Sequence, residues 1–517
     1  MLLDKKKLEG ATNTPPWIVD LILDKVGYTK EIISKRIIDP ACGDGNFLTS
    51  ITERFILECR RENISNDEIA NKLDNNIYGL DINIDTLERC KKNLNEVLAR
   101  YGIKKITWKN IVQADSLNEI VVQKFRNYFD FVVGNPPYIR IQNLDKNYRR
   151  KIQNNWTFCK SGSTDIYIAF FELGINLLNT NGKLGFITPK TFLKTEAGRE
   201  IRSFLKKKGL IRELIDFNDY QIFEDATTYS AITILDKEKK NRFFDYYRWI
   251  NNDIKRIGKI DVEVLNNDMW VLGDEAELKR IKEIETRGIP LGKIADIHAG
   301  IATLADDFYI FKNPVIRGNV AKITLKDGRS FDIEKNILKP IIKVSILKTA
   351  HDEQNRYIIF PYKTVLGKNI IIQEEELKKV YPLTYKYFLA VKDRLLLRDK
   401  GKKSAVWYAF GRSQGLNSSF GKKILVVPMS LEPRFIVWNK EEYTFYAGYC
   451  IKFNGNLDWL AKQLNSEDMK FYIDHVAREY TGGYKSYSKN YIKNFGIIPE
   501  KEYRQKAINQ QLISQSF

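Results

Sequence analysis

The chain has 517 residues, 43% of them hydrophobic and 29% charged, with 84 Lys and Arg against 65 Asp and Glu, a formal charge of +19 and a pI near 9.3. That length exceeds what one hydrophobic core usually serves, so two or more domains are expected, and the composition excludes disordered, collagen-like and disulfide-stapled classes. The basic excess favours a polyanionic partner, nucleic acid first, although a coding bias toward Lys, Asn and Ile also makes a surface basic.

Short apolar runs alternate with amphipathic stretches in the first part, the rhythm of a mostly parallel sheet covered by helices on both faces. Arg36 to Asp39 reads as a strand, then a tight turn at Gly43-Asp44-Gly45, then a helix from about Phe47 to Cys59. Ile77 to Leu80 is a second strand, with apolar residues at helical spacing from Ile84 to about Tyr101. After a third strand near Ile111, the run Phe129-Asp130-Phe131-Val132-Val133-Gly134 is apolar enough for a central strand. It ends in Asn135-Pro136-Pro137-Tyr138.

Downstream, Asp165 to Leu178 reads as a helix, Leu184 to Thr188 as a strand and Gly198 to Lys208 as a helix. Leu214 to Phe217 and Ser230 to Leu235 follow with a short connection, which predicts an antiparallel hairpin closing the sheet. The charged stretch Asp236 to Arg242 then breaks the pattern, placing a domain boundary there: 1–245 for the first domain and 246–517 for the second, an α+β module.

Five cysteines (Cys42, Cys59, Cys90, Cys159, Cys450) form no CxxC pair, and His298, His351 and His475 lie far apart, so no disulfide framework and no metal site are expected. No run of about 18 apolar residues occurs and the N-terminus lacks the apolar stretch of a secretory signal. A cytoplasmic protein without membrane attachment is expected.

Three constellations carry chemistry. The first is Asp39-Pro40-Ala41-Cys42-Gly43-Asp44-Gly45, a glycine turn between strand and helix. It is an ordinary strand-to-helix turn or a nucleotide loop; a dinucleotide site is disfavoured because the third glycine of its fingerprint is missing. Asp39 and Asp44 suit a cation, such as the sulfonium and amino groups of S-adenosylmethionine. In the second, Asp81 just past a strand suits ribose hydroxyls, or it caps the next helix, as Asn83 also can; Asp115 after the third strand suits an adenine amine.

The third, Asn135-Pro136-Pro137-Tyr138, is the most specific. Two prolines rigidify the loop and remove backbone donors, so the Asn135 amide oxygen and the Pro136 carbonyl can converge as acceptors on a primary aromatic amine. Two acceptors pulling on the N–H groups shift that nitrogen toward tetrahedral and free its lone pair for attack. The ring of Tyr138 offers a face to an unstacked base. No Pro-Cys dipeptide of a carbon-5 cytosine methylase occurs.

These elements, in this order, resemble the γ-class amino-methyltransferases, and most of the chain resembles the TaqI-like N6-adenine DNA methyltransferases. The resemblance implies a class I S-adenosylmethionine-dependent methyltransferase fold, a mostly parallel seven-stranded sheet, followed by a target-recognition domain. It implies S-adenosylmethionine as cofactor, held by Thr14 of Gly10-Ala11-Thr12-Asn13-Thr14-Pro15-Pro16, by Asp39 at the amino group, Asp81 at the ribose, Asp115 at the adenine and Phe170 lining the adenine pocket. Ala41, Gly43, Gly45, Ile82 and Ser116 complete that set. Asn135, Pro136, Pro137 and Tyr138 would act on the target base, with Phe223 stacking against it. Asp39 departs from the Glu of some relatives.

Leu291 to Ile301 resembles the opening of the recognition domain. There Arg412, Lys485 and Lys489 are expected to contact DNA, with Arg412-Ser413-Gln414 offering base-edge groups; Tyr484, Tyr487 and Tyr491 share one face if that stretch is helical. The implied partners are double-stranded DNA and a separately encoded restriction endonuclease, and the implied state is a monomer. Rival readings are N4-cytosine, RNA or protein-glutamine methylation and a non-catalytic DNA specificity subunit.

Overall fold

A computed structural model describes residues 13–160, 164–223, 229–398 and 406–502. The chain divides into two compact units, Met1–Leu278 and Lys279–Phe517.

In the first unit, α1 (Pro16–Val26) leads into β1 (Ile37–Asp39), α2 (Asn46–Arg61), α3 (Asn66–Asn76), β2 (Ile77–Asp81), α4 (Ile84–Arg100), β3 (Ile111–Gln113), α5 (Glu119–Phe125) and β4 (Phe129–Gly134). Then come α6 (Lys146–Asn155), α7 (Tyr167–Leu177), β5 (Leu178–Pro189), α8 (Arg199–Lys208), β6 (Ile211–Asp216), β7 (Ser230–Asp236), β8 (Phe243–Ile250) and β9 (Asp253–Asp261). The sheet order is β3-β2-β1-β4-β5-β7-β6-β8-β9. β1 to β5 are parallel, and β7 runs antiparallel between β5 and β6.

The strand starts follow from pattern. β4 buries Phe129, Phe131, Val132 and Val133 because both faces of a central strand are covered. α1 begins at prolines, which tolerate the first turn, and stops at Gly27 in the left-handed conformation. Two apolar cores form on opposite faces of the sheet: one holds Phe170, Phe171 and Phe186, the other Ile22, Leu48 and Phe131.

Two expectations change here. The β6–β7 pair is antiparallel as expected but does not close the sheet: β8 pairs parallel with β6 and β9 returns beside it, making nine strands rather than seven. The charged stretch is therefore a turn, tied down by Asn241 N–H to the Gly209 carbonyl at 2.7 Å. Phe244, Tyr246 and Ile260 bury their side chains in the first core, which moves the division from 245 to beyond Leu278.

The second unit is α+β. One four-stranded antiparallel sheet runs Asp296–Ala299, Tyr449–Lys452, Lys423–Val426, Phe435–Trp438; another joins Ile310–Lys312, Arg356–Ile359, Leu338–Lys343 and Thr444–Tyr446. The tyrosine stretch is not one helix: Tyr484–Ser486 is a strand and Lys489–Ile492 a single turn of helix. Tyr487 is buried against Phe435 whereas Tyr484 is exposed, so the common face does not exist.

Candidate active site

The carboxyl ends of β1, β2 and β4 meet in the first unit, where open α/β sheets hold their ligands. β1 ends at Asp39, whose carboxylate is buried at 2% exposure and accepts the Ala41 N–H at 3.0 Å. Burial pushes its pKa up to about 7, against the stabilising Ala41 donor and with the Asp81 charge adding to the rise. A buried carboxylate raised to this level is only partly ionised near neutral pH, and a cationic partner would restore its charge.

The glycine turn that follows is made by two left-handed residues. At Gly45, with φ 89°, an added Cβ would stand 2.6 Å from the Cys90 sulfur, so the helix α2 can start only where no side chain exists. Beside Gly43 lies open space: no atom stands within 4 Å of where a Cβ would be. Gly43 N–H donates to Asp81 Oδ2 at 3.0 Å, and the Cys42 amide bonds the Leu80 carbonyl, so the loop is pinned to β2.

Asp81 does two things at once. Its Oδ1 accepts the Asn83 N–H at 2.8 Å and the Thr86 hydroxyl at 3.3 Å, while Asn83 caps α4 through the Asp85 N–H. Ile82 stands beside it, half-buried. Asp115 Oδ1 accepts the Leu117 N–H and the Tyr148 hydroxyl, each at 3.0 Å, and Ser116 is buried with its hydroxyl on the Pro40 carbonyl at 2.6 Å. Asp44, expected to face a cation, is instead paired with Arg89 at 2.9 Å near the surface, because α4 carries Arg89 past the turn.

β4 delivers Asn135. The step before it, Gly134, has φ 154° and no room for a side chain: a Cβ would meet Asp39 Oδ1 at 2.6 Å. That close approach brings the Asp39 strand end against the Asn-Pro-Pro-Tyr loop. Asn135 Nδ2 donates to the buried Thr14 hydroxyl at 3.1 Å, which sets the direction of the amide group. Pro136 is buried and Pro137 half-buried. Tyr138 donates to the Ile187 carbonyl at 3.3 Å, and its ring meets Phe223 edge-on with centroids 6.3 Å apart.

Thr14 thus bonds Asn135, Gly43 bonds Asp81, Tyr138 meets Phe223, and Gly134 brings Asn135 next to Asp39. Phe170 is in the core at 5% exposure. Gly10, Ala11 and Thr12 of the N-terminal motif, and Glu224 and Asp225 beyond Phe223, lie outside the described residues. Missed by sequence reasoning were Tyr148, which holds Asp115, and Lys190, whose ammonium bonds Asp216 at 2.7 Å and the Asn218 carbonyl at 3.0 Å at the base of the Phe223 loop. Neither has a local signal, since each acts on a residue distant in sequence; Gly134, a glycine ending an apolar strand, did have one.

In the second unit Arg412 and Lys489 are exposed, whereas Lys485 is paired with Glu479 at 2.6 Å and mostly covered. The five cysteines are free and buried. Among the described residues no group of His, Cys, Asp and Glu could hold a metal ion, and no helix is long and apolar enough to cross a membrane.

A mostly parallel sheet ordered 3-2-1-4-5-7-6 in its first seven strands, with β7 antiparallel and a glycine turn after β1, is the class I methyltransferase fold. A solved structure of the Type IIL restriction-modification enzyme MmeI, in complex with DNA, superposes on 95% of this chain and 67% of its own at a TM-score of 0.60 and 13% identity. Residues 75–223 match the model of the Eco57I restriction-modification methylase family. It is 26% identical to the type II restriction enzyme and methyltransferase RM.Eco57I of Escherichia coli, over 85% of this chain and 51% of that protein. It is also 26% identical to the type II methyltransferase M.BstVI of Geobacillus stearothermophilus, over 96% of this chain and 91% of that one. The chain thus spans about half of the first relative and nearly all of the second.

Proposed function

We propose that the chain is a site-specific DNA methyltransferase that moves a methyl group from S-adenosylmethionine to the N6 amine of an adenine flipped out of duplex DNA. The observation that carries this reading is the position of Asn135: at the carboxyl end of β4, anchored through Nδ2 on Thr14, one residue from the contact between Gly134 and Asp39. The cofactor fits the residues present, since a buried carboxylate pushed to about 7 and open space beside Gly43 suit a cationic nucleoside. Asp39 would take its amino group, Asp81 its ribose, Asp115 its adenine amine, with Thr14, Ala41, Gly45, Ile82, Ser116 and Phe170 around them. When bound, it supplies a methyl already activated on sulfur.

The chain's own residues then have only to bind, orient and polarise. With its amide N–H on Thr14, Asn135 directs Oδ1 as acceptor for one N–H of the target amine, and the Pro136 carbonyl takes the other. Both draw the nitrogen lone pair out of the ring. Tyr138 and Phe223 offer ring faces to the extruded base, offsetting part of the few kcal/mol that unstacking costs; their edge-on contact must open to admit it. Positioning and electrostatics supply the rest.

The second unit would hold the DNA, Arg412 and Lys489 among its contacts; Lys485 would have to leave Glu479 to join them. A monomer acting in the cytoplasm, protecting sites from a separately encoded endonuclease, completes the reading. Long-read mapping of modified bases in methylation-free host DNA, with wild-type chain and Asn135→Ala in parallel, tests it. One motif carrying N6-methyladenine, absent in the variant, is expected. N4-methylcytosine at the motif would replace adenine by cytosine, and no modified base from folded, cofactor-binding protein would refute DNA methylation.

A further inference from the structure

The second unit holds a cleft of about 810 Å³ that no catalytic role explains. Its lining includes Ile301, Leu304, Gln414, Met429, Tyr446 and Tyr449. It forms where the two four-stranded sheets meet: Gly300 N–H to the Gly448 carbonyl at 3.1 Å extends the pairing of Asp296–Ala299 with Tyr449–Lys452, and Ile301 N–H to the Phe445 carbonyl at 2.9 Å ties it to the other sheet. Two lining residues, Leu304 and Ala447, hold φ values of 55° and 52°, a conformation that side-chain-bearing residues rarely adopt. Such strain collects where a surface must keep a required shape.

Among the polar side chains lining this cleft, with Asp306, Asp307 and Ser345, Gln414 is the amide. Its Nε2 donates to the Gly300 carbonyl at 3.0 Å, and the next residue, Gly415, packs so closely that a Cβ would stand 2.7 Å from the same carbonyl carbon. One amide N–H is thereby anchored, which leaves the other N–H and Oε1 as a fixed donor–acceptor pair. Met429 and Leu304 stand at the rim, 49% and 43% exposed. A ligand enclosed by the protein would cover such side chains; a partner bringing its own surface meets them instead.

We propose that this cleft reads base-pair edges of duplex DNA and that Gln414 is a specificity-determining residue within it. A glutamine amide matches the N6 donor and N7 acceptor of adenine in the major groove, and apolar rim groups suit thymine methyls. The unit is basic overall, with 41 Lys and Arg against 25 Asp and Glu, and Arg412 lies exposed two residues from Gln414; the charged residues lining the cleft itself are Asp306, which takes the Thr303 hydroxyl, and Asp307, which pairs with Lys326. The inference rests on the reading that the chain acts on DNA.

Selection of bound duplexes from a randomised pool by the full chain tests it without needing catalysis. Wild type should enrich one motif. Gln414→Leu should enrich the same motif with one position relaxed, losing roughly ten- to hundredfold discrimination there, while Met429→Ala weakens a neighbouring thymine preference. Both side chains are exposed, and unchanged melting temperatures would exclude a folding effect. The same motif at full stringency from both variants, or no motif from wild type, overturns the cleft. A motif enriched without any base being methylated leaves the cleft standing and overturns only the catalytic reading.

Discussion

The two units differ in charge as well as in architecture. Met1–Leu278 carries 43 Lys and Arg against 40 Asp and Glu, nearly balanced, whereas Lys279–Phe517 carries 41 against 25. Almost all of the chain's basic excess therefore sits in the half without the Asn-Pro-Pro-Tyr loop. On the proposed function this split has a physical basis: methyl transfer needs few, buried, directed groups, and attraction to a polyanion needs many exposed ones. A net charge read over the whole chain hides that split.

Asn135→Ala gives the sharpest test of the comparison, because it should damage chemistry and spare binding. Methyl transfer is expected to fall by at least about a hundredfold, the usual effect of removing one group directed at developing charge, with DNA affinity unchanged in a fluorescence anisotropy titration. Loss of DNA affinity instead would merge the two roles. Gly134→Ala should come next: its Cβ has to displace Asp39 Oδ1 from 2.6 Å, costing on the order of 1–3 kcal/mol, seen as a lower denaturant midpoint at constant slope.

The pH dependence is a third test confined to the first unit. Asp39, with a folded value near 7, must lose its proton when a cationic ligand binds, so affinity should drop as pH falls through 7. About tenfold weaker binding at pH 6 than at pH 8 is expected by calorimetry, and Asp39→Asn should flatten the profile. For the ligand-free protein the sign reverses: the folded state binds the proton more tightly than the unfolded one. Asp39 therefore contributes stability below about pH 4 that is lost as pH rises toward 7.

How much of this was legible in sequence depends on range. Strand ends that carry chemistry within a few residues, Asp39 with Gly43 and Gly45, Asp81, and Asn135 through Tyr138, announce themselves by residue type and by the apolar run before them. The β6–β7 antiparallel pair followed from its short connection. The added β8–β9 hairpin did not, because Asp236 to Arg242 has the composition of a linker and only burial of Phe244 and Tyr246 shows that the chain stays on the first core. Contacts between distant segments were equally silent: nothing near Tyr148 points to Asp115, nor anything near Lys190 to Asp216. The cleft around Gln414 needs loops more than a hundred residues apart, Gly300 and Gln414 among them.

The smallest expected effect asks whether the charge asymmetry is functional or merely compositional. Lys489 on the second unit and Lys255 on β9 of the first are both exposed lysines, so each can be changed to alanine at little cost to the fold. If the second unit holds the phosphates, Lys489→Ala should reduce the slope of log affinity against log salt concentration by about one, with a few-fold weaker binding near physiological salt. Lys255→Ala should leave slope and affinity where they were. Equal effects from the two lysines would mean that the polyanion is felt by the whole surface, and that the basic excess of the second unit reflects composition rather than a binding face.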